Sequence, residues 1–85
     1  MTLETDEAVM RVFSEVLGKA HISPADDFFA IGGSSLSAAV ATTKLEQLLG
    51  IDISLRLLME HPVIGTFSDA LAELRHTADG NTDAR

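Results

Sequence analysis

Eighty-five residues, 46% of them hydrophobic and 22% charged, make one globular domain with a single core. Six Lys and Arg stand against 13 Asp and Glu, a formal net charge of −7, which excludes the clustered basic surface that nucleic acid or an anionic membrane requires. The chain has no cysteine, so disulfides, thiolate metal sites and cysteine nucleophiles are excluded as well.

The amino terminus, Met1 to Glu7, is acidic and lacks the basic-then-apolar pattern of a signal peptide. No apolar run approaches the ~18 residues of a membrane span, and the expected setting is cytoplasmic. From Glu4 the apolar positions Val9, Val12, Phe13, Val16 and Leu17 follow helical spacing, which predicts a helix with one buried stripe. Glu4, Asp6 and Glu7 put negative charge in its first turn, and Gly18 is placed to end it. Lys19 to Ser34 holds Pro24, Gly32 and Gly33 among Ile22, Phe28, Phe29 and Ile31. It reads as an ordered loop whose Phe and Ile side chains plug into the core.

A second helix is expected from Ser35 to Leu49, stopped by Gly50, with Ala38, Ala41, Leu45 and Leu48 as its core stripe. Leu36, Ala39, Val40 and Thr43 fall beside that stripe and leave this helix with spare apolar surface. Ile51 and Ile53 flank Asp52 in a packed loop too short to form a sheet alone. Leu55 to Glu60 suits a short helix, broken at His61-Pro62, and Pro62 is expected in the first turn of the last helix. Val63, Ile64, Phe67, Leu71 and Leu74 give that helix its buried face. Residues 77–85 are polar and contain Gly80 and Asn81, so a single domain over 1–76 with a frayed, flexible tail is expected. The fold class is all-α: a four-helix bundle of three long helices and one short one.

The stretch Asp27-Phe28-Phe29-Ala30-Ile31-Gly32-Gly33-Ser34-Ser35-Leu36 carries the chemistry. Its two glycines permit unusual backbone angles and close approach by a partner. Ser34 and Ser35 stand at the start of a helix, where either serves as an N-cap. Neither has the setting of a hydrolase nucleophile, because Gly33-Ser34-Ser35-Leu36-Ser37 lacks a closing glycine and a preceding strand. His61, the only base candidate in mid-chain, sits at a helix boundary and suits a structural role. No catalytic residue is assigned.

Asp27-Phe28-Phe29 with Ile31-Gly32-Gly33, one variable residue and then Ser35-Leu36 resembles the attachment motif of peptidyl (thiolation) carrier domains of nonribosomal peptide synthesis. Leu45, Leu49-Gly50-Ile51, Ile53, Leu55 and Glu60-His61-Pro62-Val63-Ile64 continue the resemblance, which covers Val9 to Leu74. It implies an acyl carrier protein-like bundle and a 4′-phosphopantetheine arm on Ser35, transferred from coenzyme A by a Mg²⁺-dependent phosphopantetheinyl transferase. Gly32, Gly33, Ser34 and Leu36 would support that site, with Ser34 where the family often has His or Asp. A phosphodiester on Ser35 would also lie in the positive end of the helix dipole. The protein would be a carrier and not an enzyme, and the arm's thiol would hold the aminoacyl or peptidyl group as a thioester.

The implied partners are the transferase, an adenylation enzyme and downstream condensation or tailoring enzymes, met by a monomeric carrier. Family analogy places the docking surface on Leu36, Ala39, Val40 and Thr43 with Leu55, Leu58 and Met59, with core packing as the alternative for Leu36, Leu55 and Leu58. Ser35 to Leu49 holds one Lys (Lys44) and one Glu (Glu46), so this helix is neutral and fits apolar docking. Ser37 departs from the family, which commonly has Leu there. Asp26-Asp27 and Glu4, Asp6 and Glu7 read as solvated charge. The start at Met1 and the short polar tail fit a free-standing (type II) carrier. Two alternatives stay open: an acyl carrier of a polyketide or other acyl-transfer pathway, and an unmodified helical interaction domain.

Overall fold

The computed structural model describes residues 4–83. Four helices follow in order: α1 over Thr5–Leu17, α2 over Ser35–Leu49, α3 over Leu55–Glu60 and α4 over Ile64–Asp83. Helix α1 packs on α2 and α4, and the short α3 closes the gap between α2 and α4. The all-α bundle expected from the apolar spacing is the fold observed among the described residues. Gly18 and Gly50 end α1 and α2 at φ 67° and 70°, left-handed values that favour glycine.

The core is aliphatic around three phenylalanines. Phe13 of α1 lies 4.8 Å from Phe28 of the long loop and 5.5 Å from Phe67 of α4, centroid to centroid. Val9, Ala38, Leu45, Leu58, Ile64 and Leu71 complete it. Val16 and Leu17 are half-buried at the end of the α1 stripe. Ile53 is held in the α2–α3 loop by its N–H, which donates to Glu46 Oε2 at 2.8 Å.

The loop between α1 and α2 is bound to the entry of α4. Phe28 N–H donates to the Pro62 carbonyl, Ile64 N–H to the Asp26 carbonyl and Gly65 N–H to the Pro24 carbonyl, each at 2.8 Å. Asp27 and Val63 form an isolated antiparallel bridge. This pairing corrects the expected place of Pro62. It holds Pro62 in an extended segment, and α4 starts two residues later at Ile64.

Four other expectations change. Leu48 is not core: it stays 44% exposed, and Thr42 is buried instead, its Oγ1 donating back to the Ala39 carbonyl. Leu74, 37% exposed, lies at the rim of the α4 face. The acidic residues are not simply solvated. Asp26 Oδ2 accepts from Ser23 N–H, Asp27 Oδ1 accepts from the N–H groups of Phe29 and Ala30, and Asp6 Oδ1 accepts from the buried Ser68 hydroxyl. Helix α4 also runs through Asp83, so residues 77–83 are helical where a tail was expected. No proline interrupts α4, and Gly80, the one glycine of residues 77–83, costs only about 1 kcal/mol relative to alanine. Residues 84 and 85 lie outside the described residues.

Phe28 is fully buried and packs on Phe13 of α1, so truncating it should be severe. Phe28→Ala is expected to lower stability by about 3–5 kcal/mol. That is a large share of the roughly 4–13 kcal/mol typical for this length. Urea unfolding followed by circular dichroism checks this, and an unshifted midpoint contradicts it.

Candidate functional site

The loop that delivers Gly32 to Ser35 is built on the Asp27 carboxylate and the Phe28 ring. Asp27 Oδ1 caps the turn that follows, and its carbonyl accepts from Ile31 N–H at 3.1 Å. Gly32 then reverses the chain at φ 119°, where a side chain would be strained. Gly33 answers a different need. A Cβ there would lie 2.3 Å from the Phe28 ring and 2.6 Å from the Phe28 carbonyl oxygen, which accepts the Gly33 N–H at 2.9 Å. The protein's own Phe28 makes this close approach at Gly33.

Of the two candidate caps, Ser34 is the one used. At φ −136°, its Oγ accepts from Ser37 N–H at 3.2 Å, while Ser34 N–H donates to Ser37 Oγ at 2.7 Å. Ser37 Oγ donates in turn to the Ser34 carbonyl at 3.1 Å. This reciprocal box is the structural reason for a serine at 37. The sequence signal was weak, because the usual capping box has Glu or Gln at that position.

Ser35 is the first residue of α2, and it is exposed. No hydrogen bond joins its hydroxyl to another described residue. Its N–H and that of Leu36 fall in the first turn, where the helix offers no acceptor. The site thus presents a free hydroxyl above a positive helix end. Among the described residues no group of three or more His, Asp or Glu is placed to hold a metal ion.

Several apolar side chains of α2 and α3 are exposed. Leu36 is 77% exposed, Val40 41% and Met59 50%; Thr43 is exposed, and Ala39 and Leu55 are half-buried. Leu58 departs from the expected docking set. It is fully buried, because α3 is only six residues long and uses Leu58 to fasten itself to the core. His61 closes α3 through its N–H, which donates to the Leu57 carbonyl. Glu46 is occupied by Ile53 N–H, which turns one of the two charges of α2 toward the α2–α3 loop. Sequence reasoning missed the α1 side of the site, where Glu15 and Val16 line a groove with Ser34, Leu36, Ser37 and Val40.

Comparison with known proteins agrees with this geometry. The family model described as a phosphopantetheine attachment site matches residues 7–71. Surfactin synthase subunit 3 of Bacillus subtilis (strain 168) is 45% identical over 65 residues, 76% of this chain but 5% of that synthase. Among solved structures, BlmI, a type-II acyl carrier protein from Streptomyces verticillus involved in bleomycin biosynthesis, superposes with a TM-score of 0.78 at 27% identity, covering 82% of this chain and 84% of that one. A peptidyl carrier protein in complex with the phosphopantetheine transferase Sfp and coenzyme A superposes at 0.76 with 25% identity, covering 86% of this chain and 95% of that one.

The Ser34–Ser37 box sets a measurable expectation. Ser34→Ala should cost about 1 kcal/mol as a lost N-cap. Ser37→Ala breaks the same box, so the double variant should cost less than the two single losses added together. Additive losses in a double-mutant cycle would show that the two hydroxyls act independently.

Proposed function

Because the chain belongs to the phosphopantetheine attachment family, we propose that Ser35 is its attachment residue and that the arm carries aminoacyl or peptidyl groups in nonribosomal peptide synthesis. One observation carries the choice of Ser35. Three serines cluster at the start of α2, and the hydroxyls of Ser34 and Ser37 are spent on each other and on the backbone. The Ser35 hydroxyl is the one left free for an incoming enzyme.

The protein is a carrier and not a catalyst, and its residues fit 4′-phosphopantetheine. The arm, when attached, supplies a thiol that holds the acyl group as a thioester. Ser35 supplies the oxygen. Attachment forms the Ser35 Oγ–phosphorus bond and breaks the pyrophosphate bond of coenzyme A, releasing 3′,5′-ADP. The hydroxyl proton goes to a base on the transferase, since none of the described residues touches that hydroxyl. The first-turn N–H groups of Ser35 and Leu36, which have no intrahelical acceptor, would favour the charge of a phosphodiester carried there. Gly33, seated on Phe28, and the serine box hold this helix end in place before any partner arrives.

The peptidyl type is supported by the similarity to a peptide synthase and by the neutrality of α2, whose only charged residues are Lys44 and Glu46. Leu36, Val40 and Met59 form the docking surface, with Ala39, Thr43 and Leu55 at its margin. It meets the transferase, an adenylation enzyme and downstream condensation or tailoring enzymes. A flexible thioether at Met59 suits a surface that serves several partners in turn. The carrier unit ends near residue 76, shortly after Leu71, the last fully buried α4 side chain among the described residues. No helix among those residues is long and apolar enough to cross a membrane.

Intact-mass measurement after incubation with coenzyme A and a promiscuous phosphopantetheinyl transferase tests the attachment. The expected result is the gain of one phosphopantetheine, retained in Ser34→Ala and lost in Ser35→Ala. A gain that survives in Ser35→Ala overturns the assignment. Separately, Met59→Lys should leave the fold intact and slow aminoacyl loading about tenfold, equivalent to ~1.4 kcal/mol. A loading rate equal to that of the unsubstituted protein removes Met59 from the docking surface.

A further inference from the structure

The first halves of α1 and α4 leave a depression between them that takes no part in the site around Ser35. Its volume is about 270 Å³. Val9 and Ile64, both buried, form the floor with Met10 and Pro24, while Asp6, Ser68 and Asp69 line the polar side. The space lies below the ~300–1,000 Å³ of pockets that enclose a whole small-molecule ligand, so it suits a single side chain. No residue of α2 or α3 lines it, and neither does any Lys or Arg. A side chain seated there covers neither Ser35 nor Met59.

The polar side of this depression is built for a cation. Ser68, 5% exposed, donates its hydroxyl to Asp6 Oδ1 and so fixes that carboxylate across the contact between α4 and α1. Asp6 Oδ2 accepts no hydrogen bond from the described residues, and Asp69, which is exposed, has no partner among them. The amide donors that could draw an anion are already used. Ile64 N–H and Gly65 N–H, at the start of α4, donate to the Asp26 and Pro24 carbonyls. A metal ion is not indicated, since no group of three or more His, Asp or Glu is placed to hold one among the described residues.

We infer that this depression is a second docking point, which receives a basic side chain presented by a partner protein. The aliphatic stem of that side chain lies on Val9, Met10, Pro24 and Ile64, and its cation meets Asp6 and Asp69. Lys and Arg both bury their stems in this way while the charged head stays near water. Arginine is the better fit, because its planar fork offers donors to two carboxylates at once. Charge also decides between a partner and a second copy of this chain. Each copy carries −7, so two copies repel, whereas a basic segment of another protein is attracted. The inference goes beyond the attachment reading and holds whichever serine is modified. A carrier held at this point keeps Ser35 open, and the second contact raises its effective concentration at an enzyme.

The test titrates the complete, isotope-labelled chain with a blocked tripeptide amide that has arginine between two leucines. The same peptide with citrulline, which keeps the shape and lacks the charge, is the control. The arginine peptide should shift the signals of Val9, Met10, Ile64 and Ser68 together, and the citrulline peptide should bind about tenfold more weakly. Asp69 is exposed and unpartnered among the described residues, so Asp69→Asn should keep the fold and weaken binding about threefold. Val40→Ala should bind as the unsubstituted protein does. Raising salt from ~0.01 M to ~0.15 M shortens the Debye length from about 30 to about 8 Å and should also weaken binding. Equal binding of the citrulline peptide, or undiminished binding by Asp69→Asn, overturns the cation site. Shifts centred on Leu36, Val40 and Met59 overturn it as well. Concentration-dependent shifts of the same four signals without peptide would identify a second copy as the occupant and overturn the basic partner.

Discussion

The position of Phe28 is the constraint on which the rest of this structure depends. Its ring meets Phe13 at 4.8 Å, and Phe13 in turn meets Phe67, so one side chain from a loop is built into the contact between α1 and α4. Its N–H is held by Pro62 and its carbonyl by Gly33. Gly33 can approach only because it has no Cβ to strike the ring. Two residues later the chain enters α2 at Ser35. Ser35, the serine proposed for attachment, is thus placed by the core through a short path, although it is itself exposed. A loop fixed in this way can present a hydroxyl in one orientation without ordering it through side-chain contacts of its own.

What could be read from the sequence follows from how local each determinant is. The ends of α1 and α2 were legible because Gly18 and Gly50 act within a turn of the residues they stop. The core stripe of α1 was legible for the same reason. Pro62 misled because its place is set by residues far away in the chain. The pairing of Pro24, Asp26 and Phe28 with residues 62–65 is invisible to spacing rules, and it holds Pro62 outside α4. Leu48 and Leu58 show the same limit from opposite sides. Leu48 has a helical spacing that points inward, yet no element covers it; Leu58 lies on a short helix that needs it as an anchor.

The site itself divides along the same line. Ser35, Gly32 and Gly33 stood out by type and spacing, whereas the reason for each glycine required the structure. One supplies a left-handed angle, and the other makes room for a ring five residues earlier. Ser37 looked like a departure from the family, and it proves to be half of a capping box. Asp26, Asp27 and Asp6 were read as solvent charge from composition. Each accepts a hydrogen bond, and those of Asp27 and Asp6 come from loop N–H groups and a buried hydroxyl that would otherwise lack a partner.

The distribution of charge ties these features to function. The chain carries −7, but Ser35–Leu49 holds only Lys44 and Glu46 as charged residues and is neutral. A negative face there would repel the phosphodiester and weaken the helix end that receives it. Glu46, the one acid of α2, is drawn away by Ile53 N–H. In the proposed function, docking would fall to a few apolar side chains on a helix with one Lys and one Glu. With no cysteine in the chain, the thiol of the arm has no competitor within the molecule. No described side chain is hydrogen-bonded to the Ser35 hydroxyl. An exposed serine with no neighbouring base fits the proposed role, in which the modifying enzyme would bring the base.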